Sequence, residues 1–266
     1  MNNETSQLDL AEFLAESYFP NDAVQPLEIA ERNGITFCAG HYEDAFDGLL
    51  ELSADRFHIY LNSDRLGNPN GRRARFTTAH ELGHYFIDDH RNALISGAGS
   101  HPSFTEFVTD SIIERQADEF AATLLMPPKR FRSTAKRMDA SLESIALIAD
   151  LFQTSIMSTA IRYARSDIAS VAVLFWAESE RRWCWSSSDV WKITQNKAHK
   201  LTSCVPEGSV TQSLLESTTN FTATERGSTL SQWFPFVSAG SARDKICREE
   251  AIQLGTFGVL TLLEVY

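Results

Sequence analysis

The sequence has little of what would take a chain out of an aqueous, reducing compartment. Its four cysteines, Cys38, Cys184, Cys204 and Cys247, are scattered and show no C-x-x-C spacing. That excludes a zinc ribbon and offers no disulfide framework, so the thiols are expected to be buried and apolar. No run approaches the roughly 20 apolar residues of a membrane span. Met1 to Ser6 are polar and acidic, and they lead into an amphipathic segment instead of an apolar signal core. The expectation is a cytoplasmic protein with no membrane association. Positive charge is also short, because 24 Lys+Arg against 35 Asp+Glu give a formal net charge of -11 over 266 residues. Broad nonspecific binding of nucleic acid by the whole surface is excluded on that balance, although a local basic patch is not. The length allows one large or two modest domains, at roughly 150 residues per domain.

What the sequence does have is H-E-x-x-H, in the stretch Arg75 to Ile87. Phe76, Ala79, Leu82, Gly83 and Phe86 keep a helix-compatible apolar pattern around it. On a helix, i and i+4 share a face, so the imidazoles of His80 and His84 converge on one point that can hold a zinc ion. Glu81 lies beside His80 and can reach a water on the same metal, the position of a general base. A bare H-E-x-x-H also occurs by chance on surface helices, so the rest of the chain has to decide.

A catalytic zinc takes three protein ligands and a water. The next helical stretch, Ser111 to Pro127, puts Glu114, Ala117, Asp118, Ala121 and Leu125 on one face. Two carboxylates on an otherwise small, apolar face are costly to bury unless paired or metal-bound. Glu114 is therefore expected as third ligand. Asp118, one turn on, is expected to accept the distal N–H of a ligand histidine. His90, His101, Glu106 and Asp110 remain rivals for coordination. Ala117 and Ala121 would let the two helices approach closely, while Glu119 should point outward.

Ahead of the motif, residues 8 to 18 and Pro26 to Gly34 read as helices. Ile35–Cys38, Gly48–Leu52 and Phe57–Asn62 read as strands, the last two as a hairpin. An exposed edge there could pair with an extended substrate, or the strand could simply pack beneath the helix. Residues 91 to 107 read as a loop, with a lid as one possible use. Leu142 to Ala164 reads as helix, short turn, helix, with Lys129, Arg130, Arg132, Lys136, Arg137, Arg162 and Arg165 nearby. DNA binding or plain packing would each use such a pair. Beyond Ser166, Ala169–Trp176, Arg181–Ser186 and Phe257–Tyr266 read as strands of a second α+β domain. Its many aromatics are expected to be core more often than pocket.

Taken together, Arg75-Phe76-Thr77-Thr78-Ala79-His80-Glu81-Leu82-Gly83-His84 and Glu114 through Pro127 resemble the ImmA/IrrE metallopeptidases. That family's pattern is R-F-T-x-A-H-E-x-G-H followed by E-x-x-A-N/D-x-F-A-x-x-L-L-M-P. The resemblance spans roughly the first 165 residues, more loosely over Ile35 to Asn62. It implies a thermolysin-like zincin core within an α+β chain, with His80, His84 and Glu114 on zinc, or manganese in the cell, and Glu81 as base. The division expected is a metallopeptidase domain over 1–130, a helix-turn-helix-like segment over 131–166 and a C-terminal α+β domain over 167–266. In some family members that last region is a GAF-like sensory domain. The implied substrate is a helix-turn-helix (XRE-like) repressor, cleaved to derepress stress-response or mobile-element genes. Direct DNA binding by this chain is not expected. Tyr85, His101 and Tyr163 are the candidates for the oxyanion, and Arg162 or Tyr163 for substrate contact. The alternative is a regulator that binds a repressor or DNA without cutting, its metal being structural.

Overall fold

A computed structural model describes residues 2–97, 101–104, 111–178, 180–194, 205–216, 224–235, 237 and 245–266. The chain forms two compact units, one of Met1–Arg130 with Leu151–Ser155, the other of Phe131–Asp150 with Ile156–Tyr266. Both mix helices with a sheet, so the α+β class holds.

The first unit runs α1 (Asn2–Tyr18), α2 (Pro26–Arg32), β1 (Thr36–Gly40), β2 (Gly48–Ser53), β3 (Arg56–Asn62), α3 (Ser63–Leu66), α4 (Arg72–Phe86), α5 (Asp88–Ile95), β4 (His101–Ser103) and α6 (Ile112–Leu125). Pro26 at the first turn of α2 suits a position whose N–H has no helical partner. The hairpin β2–β3 is antiparallel and turns through Ala54 and Asp55, both at positive φ (48° and 61°), the handedness a two-residue hairpin needs. β1 joins β3 in parallel and β4 joins β2 antiparallel, giving the order β1-β3-β2-β4. β3 is thus an interior strand, and the edge that an extended peptide could extend belongs to β1 or β4. Ile59 and Leu61 of β3 point into a core shared with Leu14, Ile29, Leu50, Ala79, Leu82, Phe120 and Leu124. His58 faces the other way, its Nδ1 2.5 Å from Thr36 Oγ1.

Two segments differ from the sequence reading. The polar run from Asp88 starts α5, with Asp88 and Asp89 in its first turn, where acidic groups favour the helix N-terminus. Part of the expected loop is the short strand β4. The first residues of that stretch, through Ile95, belong to α5, and residues 98–100 and 105–107 lie outside the described residues.

The second unit holds α7 (Pro128–Ala135, its first residues still in the first unit), α8 (Leu142–Phe152), α9 (Ile156–Arg165), β5 (Val171–Ala177), β6 (Glu180–Ser186), α10 (Ser188–Ile193), α11 (Val210–Leu215), β7 (Thr224–Thr229), α12 (Leu230–Trp233), β8 (Ile246–Gln253) and β9 (Val259–Val265). Its antiparallel sheet has the order β6-β5-β9-β8-β7. The apolar runs of β5 and β9 are its central strands, buried almost throughout. α8 and α9 meet at 109°, within the range of a helix-turn-helix pair. α9 lies on β5 and β6 and buries Thr159, Ala160, Tyr163 and Ala164. α8 is tied to the sheet where its first N–H, from Leu142, donates to the buried Glu250 carboxylate at 2.7 Å. Trp176, Trp233 and Phe234 are core, whereas Trp185 and Trp191 are partly exposed. Phe236 lies outside the described residues. No single helix among the described residues is long and apolar enough to cross a membrane.

Candidate metal centre

α4 carries H-E-x-x-H, and its N-terminal half is anchored by Arg75. That guanidinium, only 6% exposed, donates to Gln25 Oε1 (2.6 Å), Val24 O (2.5 Å) and Gln153 O (3.3 Å). Burial lowers its pKa, since the three acceptors are neutral. The arginine at the head of the motif therefore fixes α4 against two loops of its own unit.

α6 packs along α4 at very short range. A Cβ added to Gly83 would lie 3.1 Å from Ala117 Cα and 3.2 Å from its carbonyl oxygen, so glycine opposite alanine sets the helix separation. At that spacing His80, His84 and Glu114 converge, forming a group that could hold a metal ion. His80 Nε2 is 3.1 Å from Glu114 Oε2 and 3.1 Å from His84 Nε2, and His84 Nε2 is 3.5 Å from Glu114 Oε1. Ligands about 2.1 Å from one tetrahedral ion lie about 3.4 Å apart, so the separations fit a shared cation. The donor set fits as well, because two imidazole lone pairs and a carboxylate aimed at one another repel unless positive charge sits between them.

The back of each imidazole is held. His80 Nδ1 donates to Asp118 Oδ1 at 2.8 Å, which leaves Nε2 as the lone-pair nitrogen. Burial pulls the His80 pKa down, but hydrogen bonds to Asp118 and Glu114 outweigh it and hold the imidazole up at about 10. The cluster thus favours positive charge at its centre. His84 Nδ1 faces His90 Nδ1 at 3.2 Å, and His90 Nε2 faces Gln116 Oε1 at 3.0 Å. His90, a rival ligand in the sequence reading, stands behind His84. It is only 5% exposed, and burial lowers its pKa.

Glu81 is fully buried next to the cluster, with the Ser103 hydroxyl and the Leu50 backbone among its polar neighbours. Burial pushes its pKa up to about 7, against the pull of the His80 charge and of the nearby Ser103 hydroxyl and Leu50 backbone. Its space exists because residue 48 is glycine. A Cβ there would lie 2.4 Å from Thr77 Cγ2 and 2.6 Å from Glu81 Oε1. A carboxylate that is buried beside a metal-ligand cluster and raised toward neutrality is placed to take and return a proton.

The other candidate residues are elsewhere or undescribed. Tyr85 packs edge-on against Phe57 and Phe86, under the Arg91 guanidinium, as part of an aromatic cluster. Arg162 and Tyr163 belong to the second unit, where Tyr163 is 1% exposed and its hydroxyl pKa is raised by burial. The backbone of His101 pairs with Leu50 in β4, while its side chain, with Glu106 and Asp110, lies outside the described residues. Glu119 is half-buried, not fully outward. Missed by sequence reasoning were the support roles of His90 and Gln116. Their only sequence signals are polar residues six past His84 and two past Glu114, and neither spacing marks a shared face.

A family model described as an IrrE N-terminal-like domain matches residues 54–163, from the β2–β3 turn to α9. No curated protein matches the sequence. Among solved structures, a Mycobacterium tuberculosis transcriptional regulator is similar in fold, with a TM-score of 0.58 at 12% identity over 98% of this chain and 76% of that one. The matched segment contains both the H-E-x-x-H helix and the Glu114 helix, so over residues 54–163 the chain carries a peptidase-type, IrrE N-terminal-like domain.

Proposed function

We propose that the protein is a cytoplasmic zinc-dependent endopeptidase with a thermolysin-like core, and that it cleaves a helix-turn-helix (XRE-like) repressor. The observation that carries this is Glu81, a fully buried carboxylate whose pKa burial raises to about 7, next to three converging metal-ligand atoms. His80, His84 and Glu114 would hold the metal, zinc or manganese in the cell. When bound, the ion supplies Lewis acidity that polarises the scissile carbonyl and acidifies water. Glu81 takes the proton from the attacking water and passes it to the leaving amine, and its pKa of about 7 suits both transfers. Asp118 holds His80 in the tautomer that offers Nε2. The C-terminal unit, an antiparallel sheet faced by helices, is read as a GAF-like sensory domain that regulates the peptidase.

Incubating the protein and zinc or manganese with the repressor encoded beside its gene should give two fragments by mass spectrometry. Glu81→Gln should give none. Intact repressor bound by both proteins would favour the other reading, a non-proteolytic regulator acting on a repressor or on DNA. A closed structural site uses four protein ligands, so a fourth side chain found on the metal beside His80, His84 and Glu114 would favour a structural metal.

A further inference from the structure

We propose that His90 and Gln116 form a neutral relay that sets the tautomer of His84, making His90 a positioning residue for the metal centre. The proposal rests on the reading of His80, His84 and Glu114 as metal ligands. His84 Nε2 points into the cluster, 3.1 Å from His80 Nε2. An imidazole that offers Nε2 as a lone pair must carry its proton on Nδ1. Nδ1 of His84 lies 3.2 Å from Nδ1 of His90, and two ring nitrogens at that distance share one proton. Nδ1 of His90 is therefore the acceptor, so His90 carries its proton on Nε2. That N–H finds Gln116 Oε1 at 3.0 Å.

The chain of donors runs one way only: His84 to His90 to Gln116. Reversed, with the Gln116 amide nitrogen donating, it would put the proton on His84 Nε2 and remove a ligand. His84 and His90 are each 5% exposed, so bulk water is a poor substitute for the relay. The two ligand imidazoles are thus supported unequally. His80 leans on the carboxylate of Asp118, whereas His84 leans on a neutral histidine held by a neutral amide.

The test is zinc affinity of the full chain, by competition with a chromophoric chelator, together with 15N NMR of the His84 ring. His90→Ala should weaken zinc binding by about 10-fold or more, the range for removing a ligand's hydrogen-bond partner. It should also shift His84 toward the Nε2–H tautomer. His90→Asn restores an acceptor at the position of Nδ1 without restoring the ring, and should recover most of the affinity. Gln116→Glu fixes the acceptor at the end of the relay and should tighten binding. Unchanged affinity in His90→Ala, or equal loss in His90→Asn and His90→Ala, would overturn the relay and leave the metal site standing. If His90→Ala does not fold, His90→Asn against Gln116→Leu makes the same comparison, the first keeping the His84 acceptor and the second loosening the whole chain. A wild-type chain that takes no zinc from the chelator would overturn the metal site, and the relay with it.

Discussion

Glu81→Gln should separate stability from activity, because the carboxylate is fully buried and burial disfavours its charged form. Its pKa is raised from an ordinary 4.5 to about 7 by burial. The folded state therefore holds this proton more tightly than the unfolded state does. Stability is greatest below pH 4.5 and falls as pH rises toward and through 7, since the unfolded chain ionises first. At about 1.4 kcal/mol per unit, the loss between about pH 5 and about pH 8.5 amounts to about 2 to 3 kcal/mol. The substituted amide does not titrate, so the Glu81→Gln variant should gain that much relative to wild type over the same rise in pH. His80, raised from 6.5 to about 10, also costs stability as pH rises, and because the Glu81 charge helps to raise it, Glu81→Gln should reduce that loss as well. The assay is denaturant unfolding with a chelator present, at both pH values, beside peptidase activity with zinc. Activity should be lost at every pH. A difference in unfolding free energy that is the same at both ends of that range would refute the claim that Glu81 is buried against its charge.

Other outcomes follow from the same geometry. Glu114→Ala removes one of three converging donors, so metal content by mass spectrometry should drop sharply while the fold, by circular dichroism, persists. Gly48→Ala puts a methyl 2.6 Å from Glu81 Oε1 and 2.4 Å from Thr77 Cγ2, which must push the base aside. Turnover should fall by about 100-fold with metal content retained, since misplacing a catalytic group by an ångström is worth that much. In the second unit, Glu250→Ala leaves the Leu142 N–H without its acceptor and takes one carboxylate from Arg248. Chemical denaturation should show a loss of about 1 to 3 kcal/mol, the cost of an unmet buried donor, and an unchanged midpoint would show that Glu250 does not hold α8.

By itself, the sequence determined whatever lies within one helical period. His80 and His84 share a face because they are four apart, and so do Glu114 and Asp118. The alanines that let α6 approach α4 could be read in place, because a helix writes its contact face into its own spacing, while the part Gly83 plays opposite Ala117 came from packing. Strand assignments were legible where apolar residues alternate or run on, as in Phe57–Asn62 and Ala169–Trp176. β8 was not, because Ile246-Cys247-Arg248-Glu249-Glu250 looks polar, and its glutamates are buried only by what they meet, Thr211 on one side and Leu142 on the other. The same limit hid the device behind His84, since His90 sits on a separate helix and Gln116 on a third, and only packing brings them into line. Tertiary structure alone also decided that β3 is an interior strand and that Glu81 is fully buried against Gly48. Strand order and burial depend on partners distant in the chain, and no local period records them.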